Sequence, residues 1–70
     1  MEKHIKNRNN VDFEVLYAEA LELLGETGEI STAQIQQKLT VGYAVAREIF
    51  DRMVDNKIIL QKSGKGVRID

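Results

Sequence analysis

Apolar residues recur every three or four positions from Phe13 onward, at Phe13, Leu16, Tyr17, Ala20, Leu21 (or Leu23) and Leu24. That spacing gathers them into one stripe along a helix. The acids Asp12 and Glu14 suit the positive end of the helix dipole. The pattern therefore predicts a first helix beginning near Asp12 and ended by Gly25-Glu26-Thr27-Gly28, with Gly28 free to take positive φ. Ser31 followed by Gln34 is the signature of a capping box, and Ile30 and Ile35 stand where a hydrophobic staple would fall. A second helix then runs to about Leu39, burying Ile35 and Leu39. At about two turns it needs packing to persist.

Thr40-Val41-Gly42 is a tight connection. A third helix runs from near Tyr43 to about Asn56, with Ala46, Ile49, Phe50 and Met53 as its buried stripe and Arg47, Glu48, Asp51, Arg52 and Asp55 toward water. Asn56-Lys57 ends it, since asparagine tolerates the left-handed conformation. Ile58-Ile59-Leu60, a polar Gln61–Gly66 stretch with two glycines, and Val67-Arg68-Ile69 predict a short hairpin. Two short helices joined by a three-residue turn and followed by a hairpin give the fold class: α+β, mostly helical, a winged helix-turn-helix with a two-stranded wing. Residues 1–10 lack periodicity and are expected to form a mobile arm ahead of a domain over residues 11–70.

Charge refines this picture. The 70-residue chain carries a net charge of -1, yet residues 11–29 hold six acids and no base. Residues 1–10 sum to +2 through Lys3, Lys6 and Arg8 against Glu2. Residues 57–70 sum to +3 through Lys57, Lys62, Lys65 and Arg68 against Asp70. Such asymmetry can orient a protein on a polyanion, or reflect nothing beyond solvated faces. A chain this short buries only about 60% of the surface of its unfolded state, so stability is modest. With no cysteine there is neither a disulfide nor a thiolate metal site. His4, alone in a polar segment, reads as solvated rather than as a ligand or base. No apolar run approaches a membrane span or a signal-peptide core, so cytoplasmic residence is the expectation.

Leu16-Tyr17-Ala18-Glu19-Ala20, Glu26-Thr27-Gly28-Glu29-Ile30-Ser31-Thr32, Gln36, Val41-Gly42-Tyr43 and Ile58-Ile59 together resemble the gamma domain of the FtsK/SpoIIIE DNA translocases. The match runs without a gap from Leu16 to Ile59, and the Gly-Tyr step into the third helix is its most distinctive part. The resemblance implies a winged helix that reads a short guanine-rich DNA sequence, with the third helix in the major groove and polar residues after Gly-Tyr on base edges. This chain departs from the family at those positions. The family's Asn-Arg is Ala44-Val45 here, and its later Arg falls at Glu48. Ala44 and Val45 lack the bidentate donors that suit guanine O6 and N7.

The expected partner is double-stranded DNA, with Ala44, Val45 and Arg47 as candidate base contacts. Arg47 also stands four residues before Asp51, an ordinary helix ion pair. Candidate backbone contacts are Gln34, Gln37, Lys38, Tyr43, Arg52, Lys62, Lys65 and Arg68. Arg52 has an alternative partner in Glu48, the body of Tyr43 is expected to pack in the turn, and the wing lysines stand equally for a charged hairpin turn. Lys62-Ser63-Gly64-Lys65-Gly66 exposes backbone N–H groups to phosphate, but it lies in a hairpin rather than between a strand and a helix, which argues against a nucleotide site. No catalytic residue, metal site or cofactor is expected, because no nucleophile–base pair, ligand spacing or P-loop is present. The alternative is a protein-interaction or homodimerisation module, using Val41, Ala44 and Val45 as an exposed apolar start to the third helix.

Overall fold

The computed structural model describes residues 12–69. The expected arm at residues 1–10 lies outside them. The elements are α1 (Phe13–Thr27), β1 (Glu29–Ile30), α2 (Thr32–Leu39), α3 (Tyr43–Asp55), β2 (Ile59–Lys62) and β3 (Lys65–Arg68). This is the expected α+β order of three helices and a hairpin, with one addition. The sheet has three strands in the order β1-β3-β2, because Glu29 pairs with Val67 and Ile30 with Gly66. A two-residue strand shows no alternation in sequence, and its partner lies far along the chain.

α1 begins where Asp12 accepts the backbone N–H of Glu14 at 3.0 Å. Leu16, Ala20 and Leu24 are buried along one side, with Phe13, Tyr17, Leu21 and Leu23 packed at the edges. Gly25 stays inside the helix, and the chain turns only at Gly28, whose φ of 83° places it in the left-handed region. There its N–H bonds Leu24 O at 2.7 Å. Gly28 supplies at little steric cost the conformation that the helix end needs.

α2 starts at Ser31, whose Oγ accepts the Gln34 N–H at 3.1 Å. It ends in the Thr40-Val41-Gly42 turn, where the left-handed residue is not the glycine. Gly42 is extended, with φ -74°, whereas Thr40 takes φ 57° and ψ 54°. The N–H groups of Thr40 and Val41 both bond Gln36 O, so the left-handed residue closes α2. A β-branched residue in that region is a strained one.

α3 buries Ala46, Ile49, Phe50 and Met53, the expected stripe. Its end corrects the expectation for Asn56, which has φ -83°; Lys57 takes the left-handed step at φ 62°. Ile58 N–H bonds Met53 O at 2.9 Å and Lys57 N–H bonds Val54 O at 3.0 Å. These are the two hydrogen bonds of a Schellman ending, which needs positive φ one residue beyond the cap.

β2 and β3 pair from Ile59↔Arg68 to Lys62↔Lys65. The turn is therefore only Ser63-Gly64, with φ 51° and 82°, the two left-handed residues of a type I′ hairpin. β3 is the central strand. Its Gly66 is buried, and a Cβ there would overlap the side chain of Ile59. Ile59, Ile30 and the helical stripes form one core that also takes in Val41.

Candidate nucleic-acid interface

Gly42 caps α3 without a side chain, so the helix begins with Tyr43 and Ala44 at the surface. Tyr43 is 60% exposed, and the expectation that its ring packs in the turn is not met. Val45 is half-buried and packs against the core. It lies four residues before Ile49, at the edge of the buried stripe, so helical geometry turns it inward. Val41 is 7% exposed and belongs to the core. The apolar surface expected from Val41, Ala44 and Val45 is thus reduced to Ala44 beside Tyr43. Val41 offers no surface to a partner, and Val45 offers little to a base edge.

Further along α3, two ion pairs neutralise the face from within. Arg47 Nε lies 3.3 Å from Asp51 Oδ1, and Arg52 Nη2 lies 3.7 Å from Glu48 Oε2. All four side chains are substantially exposed, so each pair contributes only a few tenths of a kcal/mol. The Arg47 guanidinium also stands 5.7 Å from the Phe50 ring centre. Arg52 sits 5.0 Å over Phe13 of α1, whose ring stacks on Tyr17 at 6.2 Å. Nearby, Asn56 Nδ2 donates to Tyr17 Oη at 2.9 Å. Arg52 is therefore held toward α1, away from the start of α3.

On α2, Gln37 and Lys38 are exposed and Gln34 is half-exposed. Lys38 lines a shallow groove of about 410 Å³ with Glu19, Glu22, Glu26, Leu23 and Leu39. Three glutamates around one lysine make this side of the molecule a poor approach for phosphate.

The wing is the more basic side. The two-residue turn sets Lys62 and Lys65 opposite each other at the hairpin's end, with exposed Arg68 at the other end of β3. Lys65 Nζ donates to Glu29 Oε1 at 2.8 Å across the β1–β3 pairing. This contact joins residues 36 apart, which no local pattern reveals. The outer sheet face also carries Leu60, 56% exposed, opposite Val67, and the following Ile69 is exposed too. The apolar run Ile58-Ile59-Leu60 and the alternation of Val67-Arg68-Ile69 contain that signal. The structure thus brings Tyr43, Ala44 and Arg47 together on α3 and Lys62 and Lys65 together on the wing. Val45, Arg52 and Lys38 are drawn elsewhere. Among the described residues, no group of three or more His, Cys, Asp or Glu is placed to hold a metal ion, and no helix is long and apolar enough to cross a membrane.

Comparison with known proteins gives a family match described as the Ftsk gamma domain over residues 12–69, all of the described residues. The chain is 38% identical over 60 residues to the DNA translocase FtsK of Clostridium tetani (strain Massachusetts / E88), covering 86% of this chain and 8% of that protein. It is 36% identical over 56 residues to the DNA translocase FtsK of Chlamydia pneumoniae, covering 80% of this chain and 7% of that one. The chain therefore spans less than a tenth of the length of these curated relatives. No solved structure matches it significantly.

Proposed function

The chain belongs to the FtsK gamma domain family, and on that premise we propose that it binds double-stranded DNA as a winged helix with altered sequence specificity. The observation that carries this reading is the wing: a tight turn that projects Lys62 and Lys65 side by side, in a chain whose family match covers residues 12–69. In the bound state α3 enters the major groove, which is wide enough for a helix. Ala44 lies against a thymine methyl or a base edge, and Arg47 is the remaining donor to bases. Tyr43 Oη, Lys62, Lys65 and Arg68 meet phosphates and set the register of the helix. Gln34 and Gln37 are positioned for secondary backbone contacts, while Lys38 contributes weakly because of its glutamate neighbours. The changed specificity follows from Ala44, Val45 and Glu48, which stand where the resembling domains carry polar and basic readers. Residence is proposed to be cytoplasmic, where duplex DNA is accessible. Translocation, in the relatives' names, belongs to much longer chains.

The test is fluorescence anisotropy with a labelled random-sequence duplex across a salt series. Three wing phosphate contacts give a slope of log affinity against log salt of about -2.7, or about a 40-fold loss between 50 and 200 mM salt. A flat salt dependence, or no binding at low salt, refutes the proposal and leaves the protein-interaction alternative. That alternative has to manage with Tyr43 and Ala44 on α3, since Val41 is inside the core.

A further inference from the structure

The pairing of Arg47 leaves this arginine prepared for a ligand. Asp51 is met by Nε at 3.3 Å. Nε is the inner nitrogen of the guanidinium, and an arginine held there keeps its two terminal nitrogens, the fork that matches O6 and N7 of guanine. The Phe50 ring, 5.7 Å away, restrains the same group from the helix side. Arg47 and Asp51 keep 43% and 53% of their side chains exposed, so the pair stands at the surface that α3 would press into a groove. A free arginine gives up much rotamer freedom on binding; a buttressed one gives up less. The other arginine of α3 is presented differently. Arg52 lies over Phe13 and uses a terminal nitrogen, Nη2, for Glu48. Where the resembling domains carry arginines, this chain has Val45 and Glu48, and the outward fork of α3 sits at Arg47.

We propose that Arg47 reads a single guanine through O6 and N7, and that Asp51 is the positioning residue that holds the guanidinium for it. This rests on the DNA-binding reading above. The pair gives one strongly selected G·C pair in an otherwise tolerant site, instead of the guanine-rich target implied by the resemblance.

The test starts from a duplex library with a randomised centre, from which the preferred sequence is selected and sequenced. Anisotropy then measures the selected duplex, the same duplex with 7-deazaguanine at the selected guanine, and a random duplex. The unmodified protein should prefer the guanine over other bases by on the order of tenfold, and 7-deazaguanine, which lacks N7, should remove most of that preference. Arg47→Lys, which replaces the fork with a point charge, should lose the preference. Asp51→Ala should lose most of the preference while binding the random duplex at least as tightly, because a carboxylate has been taken from beside a polyanion. A merely structural role for Asp51 would lower binding to both duplexes together. The proposal is overturned if Asp51→Ala keeps the guanine preference, or if 7-deazaguanine binds as well as guanine. Absence of binding to every duplex would overturn the DNA reading itself, and this inference with it.

Discussion

Replacing Gly66 with alanine measures what the close approach of β3 to Ile59 contributes. The backbone at Gly66 lies outside the left-handed region, so alanine can adopt its conformation and the whole penalty is steric. An added Cβ would overlap Ile59 Cδ1 and stand 3.1 Å from Cγ1 and 3.2 Å from Cβ. Cδ1 can rotate away; Cβ cannot, and the β-branched side chain is stiff about χ1. Ile59 is 1% exposed, so it has nowhere to go without disturbing the core. Overpacking of this kind costs about 1–3 kcal/mol. It is offset by up to about 1 kcal/mol from the lower entropy of the unfolded alanine chain. A net loss of about 1–2 kcal/mol is expected, lowering Tm by about 5–15 °C for a domain of this size. Gly25→Ala is the matched control. It makes the same chemical change inside α1, where nothing lies within 4 Å of the new Cβ, and should stabilise by about 0.5–1 kcal/mol. Urea unfolding followed by far-UV circular dichroism suits a chain without tryptophan. Ile59→Val completes a double-mutant cycle. Alone it costs about 0.5–1.5 kcal/mol, but in the Gly66→Ala background it removes the clashing methyl. Neutrality of Gly66→Ala, or additivity within about 0.5 kcal/mol, refutes the steric account.

Two further perturbations probe the turn and the wing. Thr40→Gly should stabilise by about 0.5–1 kcal/mol in urea unfolding, since relief of roughly 1–2 kcal/mol of left-handed strain outweighs the greater entropy of unfolded glycine. A loss of stability would show that Thr40 is not strained. Glu29→Gln should release Lys65 from its 2.8 Å partner and remove one negative charge beside the wing. Duplex affinity at low salt should rise about two- to fivefold, because a carboxylate is taken from beside the phosphates; unchanged binding would place Lys65 off the DNA.

Much of the fold is legible in sequence because helices announce themselves through period. Leu16, Ala20 and Leu24 on α1, and Ala46, Ile49, Phe50 and Met53 on α3, lie at spacings that only a helix can bury together. Ser31 caps α2 as its side-chain chemistry requires. What escapes depends on three-dimensional context. Glycine and asparagine are the residues expected at positive φ, yet Thr40 and Lys57 take those positions because the closing hydrogen bonds fall there. β1 exists only because β3 returns beside it. For the candidate interface, the ion pairs Arg47–Asp51 and Glu48–Arg52 follow from helical spacing, whereas Lys65–Glu29 depends on strand pairing across the fold. Val45 is partly legible. Its place after Gly-Tyr marks it as a reader by resemblance, but its place four residues before Ile49 puts it on the edge of the stripe, and the stripe prevails.

The short strand before α2 has a mechanical consequence. A two-stranded hairpin alone is marginal in water, and here the hairpin is anchored by Ile30↔Gly66 and by Arg68 N–H to Gly28 O at 2.8 Å. Ile30 is followed directly by Ser31, the cap of α2. The wing and the helical pair are thereby tied by backbone pairing into one piece, so the spacing between wing tip and α3 is a fixed gauge rather than an adjustable one.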